Sequence, residues 1–441
     1  MAVRFGTDGI RGRAYEEVSE DLAYRLGRAV AAVFSAPVVV GYDTRESSWP
    51  LAAAVLSGLR AGGARADDLG VLPTPGVATV ARERAAVGVV VSASHNPYRD
   101  NGLKVFGPGG TKLDLATEAT LATALGEAAG PDQAIFVAHR PDQGASEVYL
   151  NVLRSLVPVQ ARGLHVVVDC ANGAASAVAP ALLASVGAHV TTIHDQPDGR
   201  NINAHCGSTD VADLVATVRH LGADLGLALD GDGDRLIAVD RTGTVRDGDD
   251  LLVLFAEDLA ARGELGGGVV VTTMANLGVH HALAAAGIEV ATTDVGDRHV
   301  LAELERRRWR LGGEQSGHLI FADLALTGDG LLTGLRLLEL VARRGPLDEL
   351  AAHGWNRVPQ ALVNVARDAF DPARVEHLRV SLEERFHLTS ADWRLVVRPS
   401  GTEPVVRVMI EALRPEVVEE FTAEIVAAFG IVSGGASRGA E

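Results

Sequence analysis

The chain has 441 residues, of which 47% are hydrophobic and 22% charged, and its formal net charge is −17. This composition indicates a globular protein of three or four domains, and the negative charge argues against nucleic acid or an anionic membrane as a partner. The sequence contains no apolar run as long as a membrane span, and its first residues are too polar for a secretory leader. Cys170 and Cys206 are too few for a disulfide framework or a zinc set, so we expect a cytoplasmic protein with reduced thiols.

One order of elements occurs three times along the chain. Each unit runs from a valine-rich strand through a polar loop and an Ala/Leu-rich helix to a second strand; the valine runs are residues 38–40, 166–168 and 269–271. A further strand in each unit ends in a polar loop; these strands are residues 88–91, 225–229 and 309–311. Ligands of α/β sheets lie beyond the carboxyl ends of the strands, so the three loops are expected to face one central cleft.

A fourth segment breaks this pattern. It is expected to contain strands 361–365, 393–397 and 405–411 and helices 372–386 and 415–429. The sequence therefore predicts three similar α/β domains with mixed sheets, followed by a smaller α+β domain. The expected boundaries are residues 1–145, 146–245, 246–354 and 355–441.

An acidic loop follows the strand at residues 225–229. Asp230, Asp232 and Asp234 stand at every second position and are separated by glycines, so their carboxylates can converge on a hard cation such as Mg²⁺. A calcium-binding helix-loop-helix would need Gly and Glu where Arg235 and Arg241 stand, so calcium of that kind is not expected. An acidic hairpin without a metal remains the alternative.

A serine loop, residues 92–97, follows the last strand of the first unit and contains Ser94. Its composition, Ser-Ala-Ser-His-Asn-Pro, is also that of an ordinary turn. Beside a cation-binding loop, however, the Ser94 hydroxyl could carry a phosphoryl group. The two loops together indicate phosphoryl transfer.

A third loop, residues 398–404, joins two strands of the last segment. The guanidinium groups of Arg398 and Arg407, the hydroxyls of Ser400 and Thr402, and backbone N–H groups near Gly401 could form a phosphate cradle. A Gly/Pro hairpin turn with incidental arginines is the alternative.

These motifs resemble the α-D-phosphohexomutases over nearly the whole chain and in that family's order. The resemblance rests on residues 5–12, 92–104, 230–235, 313–318 and 400–404. Residues 296–298 and 313–317 are most similar to the bacterial members that act on glucosamine phosphates. One departure is Ser48, where the family commonly has Gly.

The resemblance implies that phosphorylated Ser94 donates its phosphoryl group to a hexosamine monophosphate. The resulting sugar bisphosphate reorients and returns its other phosphoryl group to Ser94, which interconverts glucosamine 6-phosphate and glucosamine 1-phosphate and supplies UDP-N-acetylglucosamine synthesis. One Mg²⁺ per site would be held by the three aspartates and a phosphoserine oxygen. Ser94 phosphorylation and a priming bisphosphate would be needed for activity.

The resemblance also implies roles for the remaining residues. Arg11 and Lys104 would manage charge and protons near Ser94, and His95 would orient it; solvated surface cations and a packed turn histidine are the alternatives. Other polar residues would contact the sugar or its distal phosphate: Arg235, Arg298, Glu314, Ser316, Arg398, Ser400, Gly401, Thr402 and Arg407. A strand-end turn for Glu314 and Ser316, and a local pair of Arg298 with Asp297, are the simpler interpretations.

Three other functions stay open. A phosphomannomutase or phosphoglucomutase would use the same machinery on another sugar. An aspartyl-phosphate phosphatase would carry the phosphoryl group on Asp230, as an acid-labile acyl phosphate. A sugar-phosphate sensor would bind without turnover. The sequence does not predict the oligomeric state.

Overall fold

The computed structural model describes residues 9–131, 138–352, 355–389, 392–399 and 404–430. Within these ranges the strands form three α/β sheets and a smaller antiparallel sheet, in chain order. The predicted fold class is thereby confirmed.

The first sheet has the order β1-β5-β4-β2-β3, with β2 parallel to β3 and β4, and β5 antiparallel to β4 and β1. Helices α1 and α2 pack closely because both have a glycine at the contact: a Cβ on Gly58 would lie 1.9 Å from the carbonyl oxygen of Tyr24. The elements are β1 (Ile10–Arg13), α1 (Glu20–Val33), β2 (Val38–Tyr42), α2 (Ser48–Ala61), β3 (Ala66–Val71), α3 (Thr74–Glu83), β4 (Val87–Val91), β5 (Asp100–Phe106) and α4 (Leu115–Glu127).

The second sheet has the order β10-β9-β8-β6-β7, in which β6 is parallel to β7 and β8, and β9 is antiparallel to β8. A single 3-10 turn, Gly207–Thr209, lies between β7 and α7. The elements are α5 (Ala145–Leu156), β6 (His165–Asp169), α6 (Val178–Ser185), β7 (His189–Ile193), α7 (Ala212–Leu221), β8 (Leu225–Leu229), β9 (Leu236–Asp240) and β10 (Val245–Arg246).

The third sheet has the order β12-β11-β13-β14. Its third strand starts at Leu311, so the expected strand at 309–311 was placed too early. The reason is Arg308, whose left-handed backbone (φ 59°) ends the preceding helix and turns the chain before it can pair. The elements are α8 (Gly248–Ala261), β11 (Gly268–Thr272), α9 (Leu277–Ala285), β12 (Glu289–Thr293), α10 (Asp297–Arg307), β13 (Leu311–Gly313), β14 (Leu319–Phe321), α11 (Gly330–Arg344) and α12 (Leu347–Ala351).

The last sheet is antiparallel with the order β15-β17-β16. Its five elements agree with the sequence-based expectation to within two residues at each end. They are β15 (Gln360–Ala366), α13 (Pro372–Phe386), β16 (Trp393–Pro399), β17 (Val405–Ala412) and α14 (Pro415–Phe429).

The apolar core shows how the four parts are joined. One cluster of buried residues runs continuously from the inner face of the first sheet through the second and third, whereas the last sheet and its helices have a cluster of their own. The buried Tyr149 of α5 links the second part to the third, since its hydroxyl donates a 2.9 Å hydrogen bond to Asp329 at the start of α11. The first three parts therefore share packing that fixes their loops relative to one another.

Candidate active site

The serine and aspartate loops meet at the carboxyl ends of β4 and β8. Ser94 Oγ donates a 2.6 Å hydrogen bond to Asp230 Oδ2, although 136 residues separate them. Both side chains are buried. The expectation that these loops from separate domains would face each other is confirmed by this contact.

The serine turn is held in an unusual backbone conformation. Ser94 has φ 53°, in the left-handed region, which costs a non-glycine residue about 1–2 kcal/mol. Its N–H donates to Ser92 Oγ at 3.0 Å, and its carbonyl oxygen accepts from Arg45 Nη2 at 3.0 Å and from Asn203 Nδ2 at 2.9 Å. These bonds offset the backbone cost and aim the hydroxyl at the aspartate loop.

Sequence analysis missed Arg45, whose fully buried guanidinium also donates to the carbonyl oxygen of Asn96 at 2.6 Å. Arg45 forms an ion pair with Asp43, which in turn accepts hydrogen bonds from Ser48 Oγ and Ser92 Oγ, both at 2.5 Å. The signal in the sequence was the Asp-Thr-Arg run directly after β2, at the same sheet edge as Ser94.

The departure at Ser48 has a physical explanation. The Ser48 hydroxyl is buried, donates to Asp43, and accepts from Asn101 Nδ2 at 3.0 Å. Both hydrogen-bonding capacities of the extra side chain are therefore satisfied, and it braces the carboxylate that holds Arg45.

The three aspartates form a buried acidic cluster. One carboxylate oxygen from each of Asp230, Asp232 and Asp234 lies within 4.8 Å of the other two. Asp232 accepts from Thr74 Oγ1 at 2.6 Å and pairs with Lys104 Nζ at 2.7 Å. Burial, and then the charges of Asp234 and Asp232, raise the pKa of Asp230 well above its ordinary value.

The donor set fits a divalent cation. Oδ1 of Asp232 and Oδ1 of Asp234 are buried and have no hydrogen-bond partner among the residues that the structure describes. Buried carboxylate oxygens without partners are costly, and a hard cation coordinated by oxygens would satisfy them.

Cationic and neutral groups surround this cluster. Arg235 Nε lies 3.8 Å from Asp234 Oδ1, and Arg11 is placed beside the serine loop by β1, where it pairs opposite Gly102. His95 Nδ1 lies 3.4 Å from Ser94 Oγ. Burial, then Arg235 and Arg11, lower the pKa of His95 to about 3, so the ring is neutral at physiological pH and suited to orienting the hydroxyl.

The loop after β13 supplies Glu314 and Ser316. Glu314 Oε1 accepts from the Gly296 N–H at 3.0 Å, and Ser316 Oγ donates to Oε2 at 3.3 Å. The structure thus brings the 296–298 and 313–317 segments together. Both side chains are part-exposed, as groups that bind a diffusing ligand need to be.

The structure shows Arg298 in an ion pair that neither interpretation of the sequence, a substrate contact or a local pair with Asp297, included. Its Nη2 forms an ion pair with Glu118 on α4, in the first domain. The neighbouring Asp297 pairs with Lys112 Nζ at 2.5 Å, also from the first domain. The simpler expectation, a local Asp297–Arg298 pair, is replaced by two ion pairs that cross from domain 3 to domain 1.

Arg398 and Arg407 stand directly opposite each other on β16 and β17. Burial, and then the charge of Arg407, lower the pKa of Arg398, while the carboxylate of Glu314 raises it. Two guanidinium groups and the Glu314 loop therefore share one electrostatic environment. The predicted cradle residues Ser400, Gly401 and Thr402 lie outside the described residues.

Comparison with known proteins agrees with this architecture. The sequence matches the families described as phosphoglucomutase/phosphomannomutase alpha/beta/alpha domains I, II and III and C-terminal domain, over residues 2–129, 147–243, 247–358 and 362–428. Phosphoglucosamine mutase of Desulforudis audaxviator is 46% identical over 439 residues, which are 97% of each chain. That of Mycolicibacterium paratuberculosis is 44% identical and covers 97% of this chain and 99% of its own.

Solved structures are similar as well. A phosphoglucomutase/phosphomannomutase family protein from Burkholderia thailandensis superposes with a TM-score of 0.80 at 25% identity, covering 98% of each chain. Aspergillus fumigatus N-acetylphosphoglucosamine mutase, solved with GlcNAc-6P and magnesium, has a TM-score of 0.64 at 19% identity, over 97% of this chain and 95% of that one, and shows the shared fold.

The chain therefore belongs to the phosphoglucomutase/phosphomannomutase family, the α-D-phosphohexomutases. Its members named above that are 44–46% identical to it are phosphoglucosamine mutases. In the part of the chain that the structure describes, every helix is too short or too polar to cross a membrane.

Proposed function

We propose that this protein is a cytoplasmic enzyme that interconverts glucosamine 6-phosphate and glucosamine 1-phosphate through a phosphorylated Ser94. The observation that carries the proposal is the 2.6 Å contact of Ser94 Oγ with Asp230 inside a buried cluster of three carboxylates. The named relatives that cover nearly the whole chain support the choice of sugar.

The chemical step moves one phosphoryl group. A hydroxyl oxygen of the sugar monophosphate forms a bond to phosphorus as the bond from phosphorus to Ser94 Oγ breaks. The sugar hydroxyl gives up its proton, and Ser94 Oγ gains one. We assign this proton movement to Lys104, which is buried beside Asp232, and charge stabilisation to Arg11. The bisphosphate then turns round and the reverse step rephosphorylates Ser94.

Mg²⁺ is the cation we assign to the acidic loop. Asp230, Asp232, Asp234 and a phosphate oxygen on Ser94 would hold it, and when bound it would neutralise charge on the transferring group. The fit rests on the buried Oδ1 atoms of Asp232 and Asp234, which accept no hydrogen bond from any residue that the structure describes. The Aspergillus enzyme with magnesium lends support by its fold.

The second half of the site binds the substrate. Arg398 and Arg407, with Ser400, Gly401 and Thr402, hold the phosphate that is not reacting. Glu314 and Ser316 contact sugar hydroxyls or the amino group, since a carboxylate accepts from two donors and a hydroxyl both donates and accepts. Arg235 of domain 2 and Arg298 of domain 3 complete the proposed set.

Ser94→Ala tests the proposal. Intact-mass analysis of the wild type should show a phosphorylated fraction that maps to Ser94 and survives acid, as phosphoserine does. The variant should fold but lack both the phosphate and mutase activity, whereas the matched control Ser155→Ala, an exposed serine on α5, should keep both. An acid-labile phosphate on Asp230 would instead indicate the phosphatase, and normal turnover by Ser94→Ala would refute the carrier role.

A further inference from the structure

A second cluster of metal-binding side chains lies in domain 2, separate from the acidic loop. Asp169 ends β6, His194 follows β7, and Cys206 precedes the 3-10 turn. A carboxylate oxygen, a ring nitrogen and Sγ from these residues lie within 4.8 Å of one another. We propose that Asp169, His194 and Cys206 bind a borderline-soft divalent cation, with Zn²⁺ as the best fit.

The histidine ring is arranged as a metal ligand. His194 Nε2 lies 3.3 Å from Asp213 Oδ2, and the charge of that carboxylate favours a proton on Nε2. Nδ1 is buried and lies 3.1 Å from Asp169 Oδ2, but it has no well-aligned hydrogen bond with any residue that the structure describes. With the ring proton on Nε2, the lone pair of Nδ1 lies beside that carboxylate, and a cation between the two would satisfy both. A carboxylate that orients the far nitrogen of a ligating histidine is a recurrent feature of zinc sites.

Asp169 is oriented before any cation binds. Its buried carboxylate accepts from the N–H groups of Ala171 at 2.8 Å and Gly207 at 2.9 Å, which fixes both oxygens and leaves a lone pair on each for a metal. Cys206 is also buried. Cation binding would displace the proton of this thiol to solvent.

The donor types select the cation. Mg²⁺ and Ca²⁺ prefer oxygen ligands throughout, as the aspartate loop offers. A thiolate, an imidazole and a carboxylate suit Zn²⁺, with a water completing four-fold coordination. The competing account is an imidazolium bridging Asp169 and Asp213 without any metal.

The position of the cluster suggests what a cation would do there. Cys206 closes the loop that contains Asn203, whose side-chain amide donates to the carbonyl oxygens of Ser94 at 2.9 Å and Asn96 at 3.1 Å. A cation bound to Cys206 would anchor this loop to the ends of β6 and β7. It would therefore stabilise the turn that presents Ser94 without entering the chemical step.

Co²⁺ is the probe, because a cobalt–thiolate bond gives a charge-transfer band in the near ultraviolet that oxygen ligands do not. Co²⁺ bound at the aspartate loop is therefore silent in this band. Titration of chelator-treated, full-length protein should produce the band in the wild type and in Cys170→Ser, whose buried cysteine is the matched control. Zn²⁺ should abolish it by displacement.

Substitutions distinguish the residues that would bind the cation from those that only lie beside it. Cys206→Ser should lose the band, and Asp213→Asn should keep it with affinity lower by about 10–100-fold, the usual effect of an outer-shell partner. His194→Gln tests the site independently should Cys206→Ser fail to fold, because His194 is partly exposed. A folded wild type with no band, or a band that persists in Cys206→Ser, would overturn the proposal in favour of the imidazolium bridge or another cysteine.

Discussion

The two halves of the cleft are built differently. Ser94 and the three aspartates are buried, Ser94 is hydrogen-bonded to Asp230 across domains 1 and 2, and the core beneath them also extends into domain 3. The Arg398–Arg407 pair is only part-buried, belongs to a domain with its own core, and faces two like charges towards each other. The difference indicates that the proposed reacting half is preorganised, whereas the proposed binding half brings two like charges together, an arrangement that would favour an anion such as a phosphate dianion.

The attachment of domain 4 fits the same comparison. Polar contacts join it to domain 3: the N–H of Leu277 donates to Glu411 Oε1 at 3.2 Å, and Arg394 bridges Glu411 and the carbonyl oxygen of Ala275. Changes in the reacting half should therefore lower kcat, and changes in the binding half should raise KM.

The largest expected effect is at the aspartate loop. Asp230→Asn removes the acceptor for Ser94 and one cation ligand, and a metal contributes several kcal/mol of transition-state stabilisation, so kcat should fall at least about a hundredfold. Steady-state kinetics over a range of Mg²⁺ checks this. Asp210→Asn, a part-exposed carboxylate of the same domain, is the control. Full activity of chelator-treated wild type would show that the loop needs no metal.

Substitutions of the cradle arginines, Arg398 and Arg407, should raise KM. Arg398→Ala removes a charged hydrogen bond of about 1.5–3 kcal/mol to the distal phosphate, so KM should rise about 10–100-fold while kcat changes less. Arg374→Ala, an exposed arginine in the same domain, should leave both unchanged. An unaltered KM in both Arg398→Ala and Arg407→Ala would place the distal phosphate elsewhere.

A smaller effect on kcat is expected for Arg45, which lies behind the serine turn. Arg45→Lys keeps the charge next to Asp43 but cannot hold the carbonyl oxygens of Ser94 and Asn96 with one planar group. The loss of one charged hydrogen bond predicts a roughly tenfold lower kcat. KM should stay within about twofold, because Arg45 is buried behind the serine turn and therefore out of reach of a diffusing ligand. A raised KM with normal kcat would assign Arg45 to binding instead.

The smallest expected effect is a decrease in KM. Glu118→Gln removes the carboxylate that pairs with Arg298 across domains 3 and 1. If Arg298 contacts the substrate, this pair competes with it, and a part-exposed ion pair worth about 0.5–1 kcal/mol predicts a KM lower by about two- to fivefold. A KM raised by the same substitution would mean that the pair serves to hold the cleft together.

The sequence predicted most of the helices and strands because these depend on local patterns, and it indicated a chemistry for each loop, which stays a prediction. Valine runs, glycine-spaced carboxylates and a hydroxyl turn can be recognised within a few residues. The contacts that tune them are non-local: Asn203 reaches Ser94 from 109 residues away, and Glu118 reaches Arg298 from 180. Nothing near Glu118 in the sequence distinguishes it from a solvated helix carboxylate, so only the packing of domain 1 against domain 3 brings it to Arg298.

Substrate choice is the most direct test of the proposed function. Glucosamine, glucose and mannose monophosphates present the same phosphates to Ser94 and the cradle, so only contacts near C2, with Glu314 or the Gln315 amide, can distinguish them. One charged hydrogen bond to the amino group contributes about 1.5–3 kcal/mol, which predicts a preference of about 10–100-fold. With Mg²⁺ and a priming bisphosphate, kcat/KM should be highest for glucosamine phosphates, with slow turnover of glucose phosphate. Faster turnover of glucose or mannose phosphate would contradict the assignment.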